Sequence, residues 1–199
     1  DKTYADTVRL LLAVAPDVFA NDIFAMKGGT AINLFVRDMP RLSVDIDVVY
    51  LPWQTPRDEA LQAINQELAA IATRVAPLGV QTRLVRAKDL GDTKLIVEND
   101  ASQVKIEVNV VFRGSVLPVE RRPLSAKTSD LFGVEFELPV LAPDELYASK
   151  LVAALDRQHP RDLFDVWQLF ESGDISDGMV ECFVVYLAGH NRPPHEVLF

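Results

Sequence analysis

Cysteine is almost missing: Cys182 is the single thiol in 199 residues. One cysteine can close no internal disulfide and can supply no thiolate cage for zinc. Histidine is nearly as scarce, and His159, His190 and His195 show no metal-ligand spacing. No apolar run approaches the roughly 18 residues that span a bilayer. No charged-then-apolar secretory pattern opens the chain, so no membrane partner is expected and a reducing cytoplasm is the expected compartment. A basic surplus is also lacking. The net charge is −9, and duplex DNA is not an expected partner for such a balance. Arg113, Arg121, Arg122 and Lys127 form only a loose local basic group. There is no internal repeat and no low-complexity tract.

What is present is globular. Apolar residues make up 49% of the chain and charged ones 25%, enough to bury a sizeable core. The chain starts on Asp and stops on the apolar "HEVLF", neither resembling a natural terminus, so further segments are expected at both ends.

Residues 3 to 15 have helical periodicity with Thr3 as a candidate cap. "DIFAMK" reads as a short strand running into Gly28 and Gly29, and "TAINLFVR" as a two-turn helix after them. "SVDIDVVYL" alternates as a strand. Residues 57 to 76 carry an amphipathic stripe of Ala60, Leu61, Ile64, Leu68, Ile71 and Val75. "VQTRLVR", "TKLIVEN", "QVKIEVNVVF" and, later, "VEFELPVL" are β-rich. From Pro143 the pattern turns helical, in "PDELYASKLVAALDR", "RDLFDVWQLFES" and "DGMVECFVVYLAG". The expected organisation is an α/β domain over residues 1–139 and a helical portion over 140–199, incomplete at its C-terminal end.

The "SVDIDVVYL" strand carries two carboxylates among β-branched residues. Residues two apart in a strand share a face, which makes Asp45 and Asp47 neighbours roughly 6 to 7 Å apart. Two ionised carboxylates that close repel each other unless a cation lies between them. A hard divalent ion such as Mg²⁺ suits them, bound by one or two carboxylates together with substrate phosphates. A third acid is expected from "VKIEVNVV". Its apolar residues alternate onto one face and place Lys105, Glu107 and Asn109 on the other. Asp45, Asp47 and Glu107 together would suit two-metal phosphoryl chemistry.

Gly28 and Gly29 fit the same picture. Without Cβ atoms they let a phosphate approach the backbone, and the amides opening the next helix favour an anion. Thr30 adds a hydroxyl. Taken singly, a Gly-Gly pair is usually a turn, a DxD is often a strand edge, and an outward Glu107 is common on a half-solvated strand. The combined order, strand, Gly-Gly, helix, turn, DxD and a later acid, favours function.

At this point the chain resembles a known family. "KGGTAINLFVRDMPRLSVDID" is similar to the first motif of the AbiEii-type nucleotidyltransferase toxins, within the polymerase-beta-like superfamily. "LYASKLVAALDRQHPRDLFDVWQL" is similar to that family's downstream motifs. The order agrees across residues 23 to 170. The resemblance implies an α+β fold, a mixed twisted sheet flanked by helices and followed by a helical C-terminal portion. It implies an enzyme that moves a nucleoside monophosphate from an NTP donor to an acceptor, with two Mg²⁺ ions, Mn²⁺ being an alternative. Gly28, Gly29, Asp45 and Asp47 fall in the first motif. Lys150 matches the helical lysine that meets the triphosphate, and Asp162 the downstream catalytic aspartate, flanked by Arg161 and Asp165. Members act as toxins opposed by a cognate antitoxin protein, and some modify tRNA. One departure is Glu107, where Asp is common. Alternative acceptors are other RNA, a small molecule or a protein hydroxyl, and a third reading is a nucleotide-binding interaction module without turnover.

The second block also has a purely structural reading. Asp144 and Glu145 suit a first helical turn. Lys150 falls close to the buried stripe formed by Leu146, Ala153 and Ala154 and needs an anionic partner. Asp162 and Asp165 share a helix face and could simply close a buried ion pair with Lys150 and Arg157. Trp53 reads as core, as do Phe164, Trp167 and Phe170 at helical spacing. Arg37 and Arg41 read as solvated turn charges. His159 has no general-base role.

Overall fold

The computed structural model describes residues 2–87, 91–173 and 175–199. The chain forms two units. The first runs up to Gly114 and includes Arg121–Val140; the second comprises Ser115–Glu120 and Leu141–Phe199.

In the first unit the opening periodicity becomes helix α1, Lys2–Val18, which buries Val8, Leu11, Leu12, Ala15 and Val18. Thr3 lies inside this helix and does not cap it, a correction to the expected start. Strand β1, Phe24–Lys27, leads into a short helix α2, Gly28–Ala31, which widens into a π-helical turn at Ile32–Val36. The expected helix therefore begins at the first glycine, not after the second. Strand β2 is Ile46–Tyr50, shorter than expected. Arg41 and Ser43 are engaged with the diglycine turn, and the strand ladder starts only where Ile46 meets Ile106.

Helix α3, Arg57–Val75, follows its apolar stripe, with Asp58 and Glu59 in its first turn where the helix dipole favours acids. Glu67 on this helix is buried and takes hydrogen bonds from Asn21 and Arg74. Strands β3 (Gln81–Ala87), β4 (Gly91–Glu98) and β5 (Gln103–Asn109) come next. Strand β6, Glu120–Pro123, and helix α4, Ala126–Phe132, which Ser125 caps, go beyond the elements expected for this unit. Strand β7, Glu137–Val140, closes the unit.

The seven strands make one mixed sheet in the order β3-β4-β5-β2-β1-β7-β6. β2 lies parallel to β5 and antiparallel to β1, and β1 lies parallel to β7. Ile46, Val48, Val104, Ile106, Leu95 and Val97 are buried, so alternation sends the intervening polar residues of these strands to the opposite face.

The second unit is helical: α5 (Pro143–Arg157), α6 (Pro160–Ser172), α7 (Asp177–Ala188) and α8 (Pro194–Leu198), with α5 packed on α6 and α7. Each start has a local cause. Proline opens α5, α6 and α8, while the Ser176 hydroxyl accepts the Met179 N–H at α7. His159 accepts the Arg161 N–H, which makes it a cap. The aromatic residues of α6 differ from the core reading: Trp167 and Phe170 are more than half exposed, and Leu169 is the buried apolar residue of that turn. The reason is that α6 turns Asp162 and Asp165 inward, so the ring-bearing positions rotate outward.

Candidate active site

Sequence order alone does not show which side chains meet, but strand register does. Asp47 pairs across the parallel ladder with Glu107. Glu107 pairs across the antiparallel ladder with Lys94, and Asp47 pairs on its other side with Lys27. Paired residues share a sheet face. One row thus reads Lys27, Asp47, Glu107, Lys94 across four adjacent strands, with two acids inside and two lysines outside. Neighbouring strands are about 4.8 Å apart, so the two acids would repel strongly without a nearby cation. Lys94 provides one: its Nζ donates to Glu107 Oε1 at 2.8 Å. Nothing along the sequence marks Lys27 or Lys94 for this row; the register brings them there.

Asp45 lies one residue before β2 and is partly exposed, on the same alternation as Asp47. Among the described residues, no three acidic, histidine or cysteine side chains converge into a ready-made metal cage. The donor set is still all oxygen, as Mg²⁺ requires, and Mg²⁺ characteristically completes its shell with water and phosphate around one or two carboxylates. Asp47 and Glu107 are adjacent in register and Asp45 lies one residue before the strand, so oxygen donors of the kind such an ion takes are at hand in this region.

The diglycine is built around this row. Gly28 has φ +76°, a left-handed conformation that favours glycine. A Cβ there would collide with the Asp47 carboxylate. At Gly29 a Cβ would collide with the Arg41 guanidinium and stand 3.0 Å from Ser43 Oγ. Both glycines are therefore bare so that polar side chains can lie against them. Arg41 is only partly exposed and faces the turn, which corrects its reading as a solvated charge.

Asn33, fully buried, ties the turn to the following loop. Its Nδ2 donates to the Gly29 carbonyl at 2.7 Å, and its Oδ1 accepts the Arg41 backbone N–H at 3.1 Å. Thr30, also fully buried, shares a hydrogen bond with the Ser43 hydroxyl at 3.0 Å. Neither Asn33 nor Ser43 stands out in the sequence, although both lie inside the quoted first motif. Trp53 is 62% exposed beside Gly114, not in the core.

The second unit holds the other candidates as a closed ion-pair cluster. Lys150 Nζ donates to Asp162 Oδ1 at 2.8 Å and lies 3.4 Å from Asp165 Oδ2. Arg157 Nε donates to Asp162 Oδ2 at 2.6 Å. Lys150, Asp162 and Asp165 are all buried, while Arg157 remains largely exposed. Burial works against ionisation of Asp162, but the hydrogen bonds from Arg157 and Lys150 outweigh it and hold its pKa below the usual carboxylate range. Arg161 is exposed at the start of α6.

A mixed sheet carrying acids beside a diglycine turn has a counterpart in fold among solved structures. MenT4, a nucleotidyltransferase toxin from Mycobacterium tuberculosis, superposes with a TM-score of 0.59 at 22% identity, over 90% of this chain. This chain spans 63% of the length of that toxin. No curated protein matches the sequence. The family model for the nucleotidyl transferase AbiEii toxin of type IV toxin–antitoxin systems matches residues 9–198. The chain belongs to the AbiEii nucleotidyltransferase toxin family.

Proposed function

We infer that this chain is the catalytic part of a divalent-metal-dependent nucleotidyltransferase. It would move a nucleoside monophosphate from an NTP to an acceptor hydroxyl, as the toxin of a toxin–antitoxin pair in the cytoplasm. The observation that carries the reading is the in-register pairing of Asp47 with Glu107, with Asp47 lying against Gly28. Two acids side by side, one of them against a glycine, are an arrangement that a divalent cation can use.

Asp45, Asp47 and Glu107 would hold one or two Mg²⁺ ions, with Mn²⁺ as a substitute. When bound, the metal would supply charge neutralisation for the donor's phosphates. Gly28, Gly29 and Thr30 would bring backbone and hydroxyl donors to those phosphates. Lys150 and Asp162 are assigned to the same chemistry on the family pattern. Their buried pairing in the second unit also meets the needs of a structural ion pair.

The acceptor we favour is tRNA or another RNA, with a cognate antitoxin protein as the regulatory partner. The net charge of −9 favours a small-molecule or protein-hydroxyl acceptor as the second reading. The deciding experiment is incubation with each radiolabelled NTP, total RNA, lysate protein and Mg²⁺, resolved on a gel. Label is expected in one acceptor class, lost with EDTA and lost in Asp45→Ala and Asp47→Ala. Transfer that survives either substitution would overturn the assignment of the two aspartates.

A further inference from the structure

Polar side chains gather on and beside Gly29. The Arg41 guanidinium and the Ser43 hydroxyl occupy the space a side chain there would need. Thr30 is hydrogen bonded to that hydroxyl. Tyr4, from α1, brings a buried hydroxyl up to the Ser43 backbone, near the Arg41 charge. Burial, opposed by the Ser43 backbone and the Arg41 charge, pushes the Tyr4 pKa up, so at neutral pH this hydroxyl remains a donor.

Arg41 is held from both ends. Its backbone N–H is fixed on Asn33 Oδ1 at 3.1 Å and its Nη1 on the Leu42 carbonyl at 2.8 Å. A guanidinium set in this way loses little freedom when it binds, and its planar fork matches phosphate oxygens. A positioned guanidinium with a hydroxyl beside it is the chemistry that recognises a polyphosphate.

The opposing explanation is that Arg41 only balances Asp47, which stands over the neighbouring glycine. A counter-charge acts on the stability of the free protein. A phosphate ligand acts on affinity, and the two can be measured apart.

We propose that Arg41 is a donor-binding residue, contacting the phosphate chain of the nucleoside triphosphate with Ser43 as an accessory donor, while the buried Thr30 and Tyr4 hydroxyls hold Ser43 and Arg41 in position. This deepens the nucleotidyltransferase reading and rests on it. The assignment goes beyond the acids and glycines, because it places a fixed positive charge in the loop between them.

The test is calorimetric titration of the full chain with inorganic tripolyphosphate and with a non-transferable NTP analogue, both with Mg²⁺. Arg41→Gln is expected to weaken both ligands about 10- to 100-fold, the usual worth of charge-assisted hydrogen bonds. Arg41→Lys should fall between, since it keeps the charge but loses the fork. Equal affinity in wild type and Arg41→Gln overturns the assignment while leaving the nucleotidyltransferase reading intact. A wild-type chain that binds neither ligand overturns both. Should Arg41→Gln fail to fold, Tyr4→Phe carries the test. It removes one hydroxyl and should weaken tripolyphosphate about 3- to 10-fold, and unchanged affinity there overturns the proposed cluster.

Discussion

The Asp47 carboxylate lies against the bare α-carbon of Gly28, in the space a side chain at that position would fill. Gly28 also has φ +76°, so Gly28→Ala meets two obstacles. The left-handed backbone alone costs an L-residue about 1–2 kcal/mol, and the new methyl must displace the carboxylate. A lower urea midpoint is expected, together with loss of NTP incorporation. Wild-type incorporation by a folded Gly28→Ala protein would show that the turn does not serve the donor.

Lys94 and Glu107 are linked across strands but partly exposed, at 45% and 34% of their side chains. Such pairs contribute less than about 1 kcal/mol, so Lys94→Met should hardly change the melting temperature. It should, however, leave Asp47 and Glu107 beside each other with less positive charge. Mn²⁺ affinity, followed by electron paramagnetic resonance, is expected to rise about fivefold, the effect of roughly 1 kcal/mol of Coulomb energy. An unchanged affinity would remove Glu107 from the metal site.

Removing Lys150 takes away the cation that two buried aspartates share, leaving Asp162 with Arg157 alone of the two basic groups that hold it. Lys150→Met is therefore expected to destabilise the chain by about 3–5 kcal/mol in urea unfolding. The pH dependence follows from Asp162, whose folded pKa is depressed. Its contribution is fully present above the unfolded carboxylate pKa of about 4 and is lost as pH falls through the lower folded value. Asp162→Asn should flatten that part of the acid limb. A limb identical to wild type would mean that other carboxylates govern it.

Cys182 is fully buried. Burial first, then the charges of Glu145 and Asp144, push its thiol up to about 11. Little thiolate exists at neutral pH, so a thiol reagent should label the native chain only as fast as it opens. Immediate labelling without denaturant would contradict this environment.

Glu145 is fully buried and accepts the Val116 backbone N–H at 3.0–3.1 Å, the Leu117 backbone N–H at 3.0 Å and the Tyr186 hydroxyl at 3.0 Å. Tyr186 is correspondingly pushed well above its ordinary pKa by burial and by that carboxylate. Glu145→Ala would leave these donors unpaired and should cost about 2–4 kcal/mol. Faster amide exchange at Val116 and Leu117 should accompany it, and unaltered exchange there would count against this anchoring.

Much of the framework is legible in the order of residues because it depends on local periodicity. The 3.6-residue stripe marks α3 and α5, the period-2 alternation marks β5, and proline marks the helix starts. The elements that escape are the short ones. Strand β6, "ERRP", has no alternation of its own and is ordered by the neighbouring strand. Helix α4 is too brief for a stripe to show. On α6 the inward turn of Asp162 and Asp165 reverses the usual preference, because a buried lysine and an arginine are there to receive them.

The amino-acid order by itself determined which groups are available: two glycines, two aspartates two residues apart, a glutamate on a later strand and a lysine in a helix. It also carried the family signature, since motif order is a property of the chain. Only the tertiary structure decided who meets whom. Register set Glu107 between Asp47 and Lys94, and packing laid Arg41 on Gly29 and Asp47 on Gly28. These neighbours are far apart or unremarkable along the chain. Strand pairing is set by the burial of whole apolar faces, and the polar faces follow the register that results.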